Sequence, residues 1–158
     1  RTVGDDHPWI GPDLVAVARV SDRLGRPGDA EALMRRAIAH NRRVSGDDHP
    51  HPAHSLRELG ALLSRRDRCA EAIPLLEEAR PILVEAYPGD PWETAALRSY
   101  LGVCLAETGR TAEAEPLLRS GYERLLELRG PDDWMVADVR ALITARATPR
   151  EASGLHPR

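Results

Sequence analysis

Gly46-Asp47-Asp48-His49-Pro50 restates Gly4-Asp5-Asp6-His7-Pro8 at a distance of 42 residues, and shortened forms follow as Gly89-Asp90-Pro91 and Gly130-Pro131-Asp132-Asp133. A second signature keeps the same step. Asp29-Ala30-Glu31-Ala32-Leu33-Met34 aligns with Glu71-Ala72-Ile73-Pro74-Leu75-Leu76 and with Glu113-Ala114-Glu115-Pro116-Leu117-Leu118 on Ala30, Ala72 and Ala114. Two independent signatures with one period mark a repeat architecture. The units run over about 4–45, 46–88 and 89–129, with half a fourth over 130–147, all in one array. Residues 148–158 are a tail whose Pro149, Gly154 and Pro157 oppose a full helix; it is expected to be loose or to keep a short helical remnant at Glu151-Ala152.

Each unit reads as two helices. Leu56, Leu59 and Leu63 recur at helical spacing, followed by Ala72, Leu76, Ala79 and Leu83 on a partner helix. Leu97, Leu101 and Leu105, then Ala114, Leu118 and Leu125, repeat the arrangement. Small residues at Gly60, Gly102, Ala72 and Ala114 predict close approach within each pair. Gly25 and Gly109 mark tight turns, and Asp90-Pro91-Trp92-Glu93 predicts a helix start with Asp90 as cap. Pro81, inside a second helix, is expected to bend it. Composition agrees with an all-α fold: 22 Ala and 20 Leu among 158 residues, no Phe and 4% aromatics. The expected architecture is an α-solenoid of stacked antiparallel helix pairs, about seven helices in all.

Leu59-Gly60 with Leu56 and Leu63, then Ala72, Leu76 and Ala79, resembles the tetratricopeptide repeat. Gly109-Arg110-Thr111-Ala112-Glu113-Ala114 matches its turn and second-helix opening. The 42-residue step is similar to the longer variant found in kinesin light chains and many bacterial regulatory proteins. The resemblance covers roughly residues 4–147, with departures at Ala18 and Ser21 and in the incomplete fourth unit. It implies a right-handed superhelix whose first helices line a concave groove. The function it implies is a non-catalytic scaffold that grips a peptide or partner protein, as part of a larger regulatory protein.

Carried over by position, the family's groove residues fall at Val15, Arg19, Asp22 and Arg23 in the first unit and at His54, Arg57, Ala61, Ser64 and Arg65 in the second. The third gives Ser99, Val103, Ala106 and Glu107 with Tyr100 at the margin, and the half unit gives Asp138, Ala141 and Ala145. The basic side chains concentrate in the first two units. Guanidinium groups bind carboxylates through two parallel hydrogen bonds. The expectation is therefore an acidic or C-terminal-carboxylate segment held by Arg19, Arg23, His54, Arg57 and Arg65, with its apolar part along Tyr100 and Val103. The alternative reading makes these arginines a solvated helix face partly paired with Asp22 and Glu58.

Other features carry less. His49, His51 and His54 beside Asp47 and Asp48 resemble a metal cluster, but the acidic connector reads as helix capping. Neither a metal nor another cofactor is expected. Trp9, Trp92 and Trp134 share one repeat position and read as connector packing. Cys69 and Cys104 are too few for a disulfide framework, which suggests a reducing cytoplasm. Cys104 reads as a buried hydrophobe, and no base is fixed beside either thiol. No phosphate loop or hydrolase motif occurs, so an enzyme is not expected. All 22 basic residues are Arg, with no Gln and a single Asn (Asn41), a bias of GC-rich genomes. The net charge of −3 argues against nucleic-acid binding, and no apolar run is long enough for a membrane span. Chain ends that expose apolar faces leave a second reading, a self-association module or homodimer joined through the solenoid ends.

Overall fold

The computed structural model describes residues 7–147. Among the described residues seven helices succeed one another: α1 (Ile10–Arg23), α2 (Pro27–Ser45), α3 (Pro50–Ser64), α4 (Cys69–Ala86), α5 (Trp92–Glu107), α6 (Thr111–Arg129) and α7 (Trp134–Ala147). No strand occurs among the described residues. Hairpins α1–α2, α3–α4 and α5–α6 stack through α2 on α3 and α4 on α5, while the first helices α1, α3, α5 and α7 touch in a row. This is an all-α solenoid, and the tail over 148–158 lies outside the described residues.

The small residues do what their spacing predicts. A Cβ on Gly102 would lie 2.7 Å from the backbone nitrogen of Leu118, and one on Gly60 2.6 Å from the Leu76 side chain. Helix α5 therefore packs against α6 nearly backbone to backbone. The Ala and Leu series supplies the core, with Leu56, Leu59, Leu76, Leu83, Leu97, Leu101 and Leu125 all buried. Gly25 and Gly109 take positive φ (75° and 84°) at the hairpin turns.

Helix starts differ in detail from the sequence expectation. Asp90 is not the cap of α5. The helix begins one residue later behind Pro91, and the Asp90 carboxylate instead accepts from Thr94 Oγ1 (2.8 Å) and Arg98 (2.7 and 2.9 Å). In the full connectors the histidine accepts the free amide. His49 Nδ1 takes the His51 N–H at 3.1 Å, and His7 Nδ1 takes that of Trp9 at 3.3 Å. Asp133 caps α7 as expected, accepting from Met135 N at 2.9 Å. Helix α4 continues through both Pro74 and Pro81.

Two sequence expectations are corrected. Cys69 and Cys104 are joined by a disulfide that ties the first turn of α4 to α5; two cysteines 35 residues apart in sequence meet because stacking places them there. The tryptophans do not share one role. Trp92 lies between the Arg57 and Arg129 guanidinium groups, 5.1 and 5.0 Å from its ring, whereas Trp9 and Trp134 remain exposed.

Candidate functional site

The first helices touch in a row, and its N-terminal half holds a cleft of about 250 Å³. Helix α1 contributes Pro12, Val15 and Arg19, α3 contributes His51, His54, Ser55, Arg57 and Glu58, and Trp92 closes one side. Asn41 reaches in from α2. Its carboxamide donates to Ser55 Oγ at 3.0 Å and to the His51 carbonyl at 3.3 Å, pinning α2 to α3. Helix α1 can approach because residue 11 is glycine: a Cβ there would stand 1.7 Å from Asn41 Oδ1.

The arginines meet different fates. Arg57 is 3% exposed, donates to Glu58 Oε1 at 2.8 Å and stacks on Trp92. Arg65 bridges two helices, donating to Asp22 of α1 (3.2 Å) and Asp138 of α7 (3.1 Å). Burial works to lower the Arg65 pKa but is outweighed by Asp138, Tyr100 and Asp22, so the net direction is up. Arg19 stays reachable: its side chain is 44% exposed and only 4.0 Å contact with Glu58 restrains it. Arg23 is also exposed, lying 5.7 Å from the Trp134 ring. Arg65 pairs with Asp22 and Arg57 with Glu58, while Arg19 keeps only the long Glu58 contact and Arg23 is exposed beside Trp134.

The apolar half of the expected groove is not on the surface. Tyr100 and Val103 are each 1% exposed, and the Tyr100 hydroxyl donates to Asp138 Oδ2 at 2.7 Å. Burial first, then the Asp138 charge, pushes the Tyr100 pKa well above its ordinary value, so it remains a neutral donor. The Tyr100–Asp138 bond ties α5 to α7, which also pack directly against each other. His54 lines the cleft, its Nε2 3.0 Å from the Tyr87 hydroxyl. Burial, with the Arg57 charge second, lowers its pKa to about 4, so the ring is neutral at physiological pH.

The sequence reading named Arg19, His54 and Arg57, which the structure brings together at one cleft, and Arg65, Tyr100 and Val103, which lie outside it, the first two bonded to Asp138 and the third buried. It missed Asn41 and Trp92 as cleft residues. The signal for Asn41 was available: it is the single Asn of the chain, placed on a predicted core helix. Among the described residues, no cluster of three or more His, Cys, Asp or Glu side chains is placed to hold a metal ion, and no helix is long and apolar enough to cross a membrane.

A family model for the tetratricopeptide repeat matches residues 14–85. No curated protein matches the chain. The matched segment spans the first two units, and the seven-helix stack continues their architecture to residue 147. With the 42-residue period, the close Gly60–Leu76 and Gly102–Leu118 contacts and the stacked hairpins, residues 14–85 belong to the tetratricopeptide repeat family and the stack that continues them is an all-α solenoid of the same kind.

Proposed function

We propose that the chain is a protein-binding module that receives an acidic segment, or a peptide with a free C-terminal carboxylate, in the cleft between α1 and α3. Tetratricopeptide repeats mediate protein–protein interaction and are typically non-catalytic scaffolds. The observation carrying the finer reading is that half-exposed Arg19 stands on the rim of a cleft walled by neutral His54 and the Trp92 ring. Arg19 and Arg57 together exceed what Glu58 neutralises in that cleft, so an incoming carboxylate meets net positive charge. The apolar part of the ligand sits on Pro12, Val15 and Trp92 rather than on Tyr100 and Val103. Catalysis is no part of this reading.

The module is further read as one region of a larger bacterial regulator. Its compartment is less simple than the cysteine count suggested, because disulfides persist mainly in oxidising surroundings and the Cys69–Cys104 bond counts against a cytoplasmic location. A thiol assay on freshly quenched cells separates the two compartments.

The binding test is fluorescence polarisation with labelled acidic peptides ending in a free carboxylate, beside their C-terminal amides and basic counterparts. The acidic free-carboxylate set should bind, and Arg19→Glu/Arg23→Glu should weaken it by about tenfold or more, the loss of one charge-assisted hydrogen bond. Equal binding of all sets, or an unaffected double variant that is fully helical, removes the carboxylate reading.

A further inference from the structure

One repeat position meets three different surroundings. Val20, Leu62 and Cys104 are related by the 42-residue step. Cys104 is bonded to Cys69, the first residue of the preceding second helix α4. Leu62 lines a cleft with Pro27, Gly28 and Glu31, the first turn of the preceding second helix α2. Val20 is 56% exposed. The same contrast holds one turn earlier, where Leu59 and Leu101 are buried and Val17 is 53% exposed. Two turns earlier, Ser55 accepts from Asn41 of α2, and Leu97 shares a cleft with Leu83 of α4. The counterpart on α1 is exposed Asp13. Leu24, 69% exposed, ends the stripe.

The face of α3 and α5 that receives α2 and α4 is therefore present on α1, and it is still apolar although it is open. A helix that merely ended the array would carry polar residues there, because a terminal face must meet water. We propose that Asp13, Val17, Val20 and Leu24 form the docking face for one further amphipathic helix of the α2 and α4 kind, the second helix of another tetratricopeptide hairpin. The existing interfaces specify its chemistry. Its first turn lays a small or apolar residue against Val20, as Pro27 and Cys69 do in α2 and α4. Three to four turns later it sets a hydrogen-bond donor opposite Asp13, as Asn41 stands opposite Ser55. The inference concerns the outer face of α1 and is independent of the carboxylate cleft.

The test uses the full chain and an extended form in which a copy of residues 26–42 is joined directly ahead of Arg1, which continues the 42-residue step. Circular dichroism of the extended chain should gain the signal of one helix, and its thermal midpoint should rise by several degrees. Val17→Asp/Val20→Asp should abolish that gain while leaving the helicity of the unextended chain unchanged, which separates docking from folding. An added segment that stays unfolded, or a midpoint that does not move, overturns the proposal. So does sedimentation equilibrium showing that the unextended chain is a dimer dissociated by Val17→Asp/Val20→Asp, since the occupant is then a second copy.

Discussion

Helices α1 and α3 are the same element in successive repeats, yet α3 buries twelve of its residues and α1 only Gly11 and Ala18. Their sequences do not explain the gap, for both carry aliphatic residues at the shared positions. The neighbours do: α3 lies between α2 and α4 and touches α1 and α5, while among the described elements α1 touches α2 and α3 alone. In a solenoid a residue's energetic weight is set by its place in the stack, because each unit contacts only adjacent units.

The comparison is broken most directly by truncating one shared position in both helices. Leu59→Ala removes a fully buried side chain and should cost about 2–5 kcal/mol. Val17→Ala, on the open face, should cost less than about 1 kcal/mol. Urea unfolding of both variants checks the contrast, and equal losses would show that α1 is as enclosed as α3.

Next in size is the clasp that only the α4–α5 junction possesses. Reducing Cys69–Cys104 should lower stability by about 2–4 kcal/mol. Thermal melts with and without reductant measure this, and the Cys104→Ser variant should match the reduced protein and lose its response to reductant.

His54 sharpens the contrast further, since its counterpart on α1 is Pro12. With a folded pKa of about 4 against an unfolded value of 6.5, the unfolded chain takes up its proton first as the pH falls. Stability contributed by the neutral ring is therefore complete above pH 6.5, is lost progressively toward pH 4 and changes no further below that. The loss is at most about 3 kcal/mol. The imidazole shift in NMR should titrate near pH 4, and His54→Gln should flatten the stability profile over this window.

The smallest effect separates a packed glycine from an open one. Gly102→Ala forces a Cβ toward the Leu118 backbone and should cost about 1–3 kcal/mol. Gly28→Ala, early in α2 with nothing within 4 Å of the new carbon, should stabilise by about 0.5 kcal/mol. Chemical denaturation of the two variants side by side gives the comparison.

The period and the hairpins were legible because repetition multiplies weak local signals: the alanines at 30, 72 and 114 are all buried, and the glycines at 60 and 102 each mark a close contact. What one unit does to another was harder to read. Arg65 is a groove residue by position, but its partners Asp22 and Asp138 lie 43 residues before it and 73 after it. Tyr100 and Val103 have groove positions yet are buried, and the Tyr100 partner Asp138 lies 38 residues away, which no local pattern encodes. The cysteine pair had the same character. His49 took the capping role assigned to aspartate because the connector turns one residue later than its acidic pair suggested.

The central claim is that the cleft between α1 and α3 receives an acidic ligand. The most direct measurement is a 15N–1H NMR titration of the isotope-labelled chain with an acidic peptide ending in a free carboxylate. Shifts that begin at Arg19, Arg23, His54 and the Trp92 indole, and vanish in Arg19→Glu, are the predicted result. Shifts confined to the second helices α2, α4 and α6, or none at millimolar peptide, would contradict it.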